Sequence, residues 1–454
     1  MTRRGFLASV AGSAADAQLR RRRPNIVMIL ADDLGYGELG CQGNPQIPTP
    51  HIDSIARHGV RFTNGYVSSP YCSPSRAGLM TGRYQTRFGH ELNVVGRRNL
   101  QPGIGLPLSE TTLAEHLKKA GYSTGVFGKW HLGGRPEFHP MKRGFDEFFG
   151  FLHEGHFYVP PPYRGVTSRL RAKEPPYDDE NFILRGSEPV EEKEYLTDAF
   201  TREALSFMDR NRERPFFLYL PYNAVHSPMQ APVELMRRFN GIGNEHRQVF
   251  AAMLKSLDDG VGAVLRKLRE NRLEEDTLIF FLSDNGGPVV ELTSSNAPLR
   301  GGKGQLWEGG IRIPFLFQWK GKIPGGRAFD QPVISLDIFS TAVAAAGGNS
   351  GRDDDAVDRD GIDLTPLMTG SSNRPPHDAL FWRYGKNIAL RKGDWKLVRQ
   401  VERGQREADY QLFNLISDAG ETTNLRRQQP EIARELLRDL ERLNGQMSPP
   451  LWSA

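Results

Sequence analysis

Two apolar runs of seven residues, each ending in acidic or amide side chains, constrain this 454-residue chain more than any other feature. Asn25-Ile26-Val27-Met28-Ile29-Leu30-Ala31 runs into Asp32-Asp33, and Thr277-Leu278-Ile279-Phe280-Phe281-Leu282-Ser283 runs into Asp284-Asn285. A continuous apolar run, unlike an alternating one, suits a strand covered on both faces, as in a parallel sheet between helices. Helical periodicity over residues 110–121, 196–211, 245–271 and 337–346, with further strands near 122–127 and 215–220, completes the alternation of an α/β domain. The expected fold is therefore α/β, a large, mostly parallel sheet flanked by helices.

Beyond about residue 372 the pattern changes to short strands at 379–384, 388–391, 395–398 and 410–415, followed by a helix at 430–444. These predict a smaller C-terminal antiparallel sheet with a covering helix. The expected division is a large unit over 24–371 and a small one over 372–454.

Ligand sites in open α/β sheets lie beyond the carboxyl ends of the strands, where Asp32, Asp33, Asp284 and Asn285 fall. Paired acids after a strand often only form a turn. Were the two strands neighbours, however, the four side chains would converge and repel without a cation. Their hard oxygen donors suit Ca²⁺, with Mg²⁺ second, better than zinc.

Other segments bring nucleophilic and cationic groups. In Pro70-Tyr71-Cys72-Ser73-Pro74-Ser75-Arg76, Ser73 reads as a helix N-cap and Pro74 as the first helical residue. Cys72 then lies at the anion-favouring end of a helix, with Arg76 one turn on. Gly128-Lys129-Trp130-His131-Leu132-Gly133 follows a strand, and extended geometry would put Lys129 and His131 on one side. Asn223-Ala224-Val225-His226-Ser227-Pro228 follows another, and Arg300-Gly301-Gly302-Lys303-Gly304 forms a glycine-rich loop. Residues 151–193 read as an elaborated loop over the site, with His153, His156 and Tyr158 as candidate substrate contacts.

The Cys-x-Pro-Ser-Arg segment with Ala77-Gly78-Leu79-Met80-Thr81-Gly82-Arg83, together with Gly-Lys-Trp-His-Leu-Gly and the Lys303 loop, resembles the signatures of the type I sulfatases of the alkaline-phosphatase-like superfamily. The resemblance spans residues 25 to about 427. It implies that a maturation enzyme oxidises Cys72 to formylglycine, whose hydrate is the nucleophile. It also implies one Ca²⁺ held by Asp32, Asp33, Asp284, Asn285 and the group at position 72. Arg76, Lys129 and Lys303 would hold sulfate, His131 would steer the formylglycine hydroxyl, and His226 would contact the ester oxygen. The expected activity is hydrolysis of a sulfate monoester, on a sulfated carbohydrate in preference to a simple aryl sulfate. Two alternatives stay open: a phosphodiester or phosphonate monoester hydrolase of the same superfamily, and an inactive secreted glycan-binding protein.

The net charge of +5 does not argue for nucleic acid, because residues 1–23 carry six arginines against Asp16 and the remainder is neutral. That N-terminus, with Arg3-Arg4 and Ala15-Asp16-Ala17, reads as a twin-arginine export signal, hence a periplasmic or secreted protein. A basic tail on a cytoplasmic protein is the alternative. No apolar run is long enough for an integral membrane segment. With Cys72 modified, Cys41 has no partner for an intrachain disulfide.

Overall fold

The computed structural model describes residues 23–453 except 173, 178, 179, 349–357 and 403, so the export-signal reading lies outside the described residues. Five parallel strands form the middle of a ten-stranded sheet: β1 (Asn25–Ala31), β2 (Ser123–Lys129), β3 (Glu147–Phe151), β4 (Phe216–Pro221) and β5 (Thr277–Ser283). They lie side by side in the order β5-β1-β4-β2-β3. Antiparallel pairing begins beyond them, with Phe315–Gln318 against β5 and Leu184–Arg185 against β3. The two acid-tipped strands are direct neighbours, with Ala31 opposite Ser283.

Burial explains why these strands read as continuous apolar runs. Ile26, Met28 and Leu30 face a core with Ala77, Met80, Leu117 and Phe339, while Val27, Ile29 and Ala31 face a second core with Phe200, Phe207, Val249 and Leu254. The second face is covered by the helices Leu196–Arg210 and Glu245–Glu270. Each alternate residue thus meets a helix layer instead of water. The helix at 110–121 narrows to Leu113–Lys119, because Thr112 is its N-cap and closes a reciprocal capping box with Glu115 in the first turn.

The helix Cys72–Thr81, called α1, starts two residues earlier than its sequence implies. Tyr71 is the N-cap and makes no side-chain cap bond, whereas the Ser73 hydroxyl donates to the His131 carbonyl at 2.9 Å and lies 2.7 Å from His90 Nε2. Ser73 is therefore a strut within the first turn, not a cap. Gly82 ends the helix in the left-handed region, as a C-terminal glycine should. Extended backbone stops at Lys129, and His131 takes φ 59°, so strand alternation does not decide which way its ring points.

Leu380–Tyr384, Asn387–Lys392, Trp395–Arg399 and Gln411–Asn414 form the antiparallel C-terminal sheet. Leu436 and Leu440 of the amphipathic helix Pro430–Asn444 join Leu390, Leu397 and Leu412 in the same core that reaches the large sheet. A buried ionic knot fastens this junction. Lys396 Nζ lies 2.9 Å from carboxylate oxygens of both Glu308 and Glu421, and the Tyr66 hydroxyl donates to Glu308 at 2.6 Å. Removing one partner of such a knot leaves uncompensated buried charge.

Lys396→Met is accordingly expected to cost about 3–5 kcal/mol in urea unfolding, and a loss below about 1 kcal/mol would contradict the role given to the knot. Burial pushes the His90 imidazole down to about 3, against a bond to the Gly105 carbonyl, so the folded state keeps it neutral. On acidification the unfolded chain gains a proton that the folded chain refuses. Between about pH 7 and about pH 5 the wild type should lose about 2 kcal/mol more stability than His90→Asn. Parallel pH–stability curves would contradict this.

Candidate active site

The carboxyl ends of β1, β2, β4 and β5 point at the start of α1, and nine of the expected side chains meet there. Asp32 and Asp33 leave β1, Lys129 ends β2, His226 follows β4, Asp284 and Asn285 follow β5, Cys72 and Arg76 come from α1, and Lys303 comes from the glycine-rich loop. Main-chain bonds lock the strand ends together: Asp284 N–H donates to the Ala31 carbonyl at 3.1 Å and Asp32 N–H to the Ala224 carbonyl at 3.0 Å. Asp33 is held at φ 66°, a left-handed conformation that an aspartate tolerates better than most side chains.

Three carboxylates face three cations, all of them buried except the partly exposed Lys303. Lys129 Nζ lies 2.7 Å from Asp32 Oδ2, and Lys303 Nζ lies 2.8 Å from Asp33 Oδ2. Arg76 donates from Nε and Nη2 to Asp284 Oδ2 at 2.9 and 2.8 Å, and from Nη1 to the Lys129 carbonyl at 2.8 Å. Arg76 Nη2 is also 3.7 Å from Asp32 Oδ1. With three donors committed to the protein, Arg76 is placed to brace Asp284 instead of opening a fork toward a ligand, which departs from the sulfate-holding role expected of it.

The electrostatics follow from this pairing. Burial opposes charge on Asp33, but Lys303, His226 and the amide of Asn285 outweigh it and hold the carboxyl down at about 2. Burial and the neighbouring Asp32 raise Asp284 to about 6 despite Arg76 and Lys129. Burial, with Asp284 adding to it, pushes the Cys72 thiol well above its usual range, so the unmodified side chain is a protonated thiol and a poor nucleophile. Its sulfur lies 3.5 Å from Asp32 Oδ1.

Both histidines are neutral, and their hydrogen bonds select the tautomers. The Val94 carbonyl lies 2.7 Å from His131 Nε2, so that nitrogen carries the proton, and the buried Nδ1 has no hydrogen-bond partner. Burial and then Lys129 drive this ring well below its usual value. His226 donates from Nδ1 to the Ser227 carbonyl at 2.5 Å, turning Nε2 toward Asp33 Oδ2 at 3.6 Å. Burial and Lys303 depress it to about 3.

A cation fits the donor set. Ligand atoms of Asp32, Asp33, Cys72 and His226 all lie within 4.8 Å of one another. Asn285 spends its Nδ2 on Asp33 Oδ1 at 2.7 Å and the Gly286 carbonyl at 3.0 Å, leaving its buried Oδ1 without a hydrogen-bond partner. An orphaned amide oxygen beside carboxylates is what a hard cation would use.

The three loop residues expected to touch substrate are all buried against protein. Tyr158 is fully buried, its hydroxyl against the carbonyls of Asn223 at 2.7 Å and His226 at 3.0 Å, so it supports the His226 turn from beneath. His153 packs on the Gly133–Gly134 turn after His131, where Gly134 leaves no room for a Cβ. His156 Nδ1 bonds the Phe157 carbonyl at 2.8 Å, with its ring against Phe151. Reading the sequence missed Tyr71, whose hydroxyl crowds Gly304 so closely that a Cβ there would lie 2.7 Å away, and which sets the approach of the Lys303 loop. It also missed His90, Asn93 and Val94, which hold α1 and His131 and carry no motif. Among the described residues no helix is long and apolar enough to cross a membrane.

Residues 24–348 match the family profile described as Sulfatase. N-acetylgalactosamine-6-sulfatase of Canis lupus familiaris is 38% identical over 391 residues, covering 82% of this chain and 71% of that protein. Arylsulfatase A of Bos taurus is 33% identical over 491 residues, covering 96% and 89%. Among solved structures, Ps i-CgsB in complex with k-i-k-neocarrahexaose has a TM-score of 0.85 at 36% identity, covering 95% of this chain and 94% of that one. The phosphonate monoester hydrolase of Agrobacterium radiobacter shares the fold, with a TM-score of 0.64 at 20% identity over 93% of this chain and 96% of that one. With its acids, cations and helix-borne cysteine gathered at one end of a mostly parallel sheet, the chain belongs to the sulfatase family, enzymes that hydrolyse sulfuric esters.

Proposed function

We propose that this sulfatase removes a sulfate monoester from a sulfated carbohydrate, with Cys72 oxidised to formylglycine by a maturation enzyme and with one Ca²⁺ held by Asp32, Asp33, Asp284, Asn285 and the group at position 72. The observation that carries the reading is the convergence of Cys72 with three buried carboxylates and three cations, each paired with one of them. Carbohydrate is favoured because curated relatives and a solved neighbour are named for sugar substrates. Cavities of about 710 Å³ and 580 Å³ beside Lys303 and Ser227 leave room for more than a phenol. Twin-arginine export, and a division of the chain at about residue 371, belong to the same reading.

When present, the cation and the hydrated aldehyde supply charge neutralisation and a hydroxyl nucleophile that a buried thiol cannot. Lys129 and Lys303 offer fixed positive charge to the sulfuryl oxygens, where a preorganised cation in a buried site is worth most. Arg76 keeps Asp284 oriented. Neutral His131 presents its Nδ1 lone pair as a proton acceptor, and His226 meets the leaving oxygen at Nε2. A bound sulfate would oppose the influence of Lys303 on His226 and favour a proton there.

Wild-type protein produced with a maturation enzyme should release sulfate from para-nitrophenyl sulfate and from at least one member of a panel of sulfated saccharides. Faster turnover of an aryl phosphonate monoester would replace this function, and activity confined to phenolic sulfates would remove the carbohydrate. Cys72→Ala should lower kcat by about a thousandfold or more. Cys72→Ser keeps one hydroxyl but lacks the second needed to expel sulfate, so it should give one burst and then stop. Sustained turnover by that variant would contradict the proposed role of position 72.

A further inference from the structure

The turn that carries His226 is gripped from two segments with no part in the charge cluster. Ser227 is buried, and its hydroxyl donates to Glu291 Oε1 at 2.9 Å. The same carboxylate oxygen accepts from Arg171 Nη1 at 2.8 Å. Arg171 Nη2 reaches Glu174 Oε1 at 2.8 Å and the Tyr177 hydroxyl at 2.6 Å. That hydroxyl lies 3.4 Å from Ser227 Oγ, and the Tyr177 ring stands edge-on to the His226 ring, 6.4 Å between centroids. Glu291 belongs to the short helix Val289–Leu292, a few residues after Asn285. The brace therefore links the loop after β5 to the loop after β4, with the 151–193 segment supplying Arg171 and Tyr177.

The connection to the chemistry is short. His226 is oriented by its Nδ1 bond to the Ser227 carbonyl, so whatever fixes residue 227 fixes the direction of Nε2. Tyr158 holds the same turn from below, and the Ser227–Glu291 bond restrains it laterally, with the Tyr177 hydroxyl beside it. Glu291 and Arg171 also line the wall of the cavity beside Ser227, where a substrate chain would pass.

We propose that Glu291 is a positioning residue: by accepting the Ser227 hydroxyl and pairing with Arg171 it sets the tilt of the His226 ring toward the leaving oxygen. This rests on the role given to His226 above. A misaligned proton donor matters most when the leaving group is a poor one, so the signature is a change in leaving-group dependence, which a general loss of structure would not produce.

The test uses phenyl sulfates graded from para-nitrophenyl to unsubstituted phenyl, with wild type, Ser227→Ala, Glu291→Ala, the double variant and Glu291→Gln, each checked for an unchanged thermal midpoint. Each single alanine variant should lower kcat for phenyl sulfate by about tenfold, that for para-nitrophenyl sulfate by less than about threefold, and leave KM within about twofold. The double variant should be no worse than the weaker single one, since both cut the same bond. Glu291→Gln, whose amide oxygen still accepts from Ser227, should recover most of the loss. Equal losses along the series, additive losses in the double variant, or a Gln variant as impaired as Ala would overturn the proposal. A wild type inactive on every member and on every sulfated saccharide of the panel would instead overturn the sulfatase reading of the site.

Discussion

Three buried carboxylates balanced against the cations Lys129, Arg76 and Lys303 form the interaction on which this site depends. Asp32, Asp33 and Asp284 would repel one another if only the parallel pairing of β1 with β5 brought them together. Lys129, Arg76 and Lys303 come from a different strand, a helix and a loop, and each lies within 3 Å of one acid. Buried ion pairs of this kind seldom add net stability, because desolvation offsets most of the attraction. Their persistence is better explained by function: the same low-dielectric surroundings that make them costly strengthen every interaction with an incoming anion.

The fold supplies the scaffold that such an arrangement demands. Helix layers on both faces of β1 and β5 fix the strand ends, and α1 is fixed in turn through Ser73, His90 and the His131 carbonyl. Asp33 and His131 both occupy left-handed backbone conformations, where sharp turns re-aim side chains at some cost in strain. The Lys303 loop depends on close backbone approaches of its own. Gly304 N–H donates to the Pro70 carbonyl, and a Cβ on Gly286 would overlap the Gly309 carbonyl. The C-terminal sheet reaches the same region indirectly, since Lys396 anchors Glu308, at the start of the short helix that follows this loop.

What could be read from residues alone was whatever repeated or was contiguous. The apolar runs of β1 and β5 announce burial on both faces, and the short strands after residue 372 stand out by their spacing. The clustered motifs around Cys72, Lys129, His226 and Lys303 each carried enough local pattern to be singled out, and the structure brings them together. Details set by distant partners were not legible. Ser73 looks like a cap until His131 and His90 claim its hydroxyl, and Arg76 looks like an anion ligand until Asp284 takes two of its donors. Tyr158 reads as a loop aromatic near substrate, yet its hydroxyl is used on backbone carbonyls. The brace among Ser227, Glu291 and Arg171 joins three separate segments and has no local signature.

The proposed calcium would sit among these paired acids and cations. Equilibrium dialysis of calcium against the wild-type protein and against Asp33→Asn, with circular dichroism confirming that both are folded, tests it most directly. One tightly bound calcium per wild-type chain, with binding weakened by about a hundredfold or more in the variant, is the predicted result. A wild-type chain that retains no calcium, or a variant that binds it equally well, would rule out the proposed calcium site.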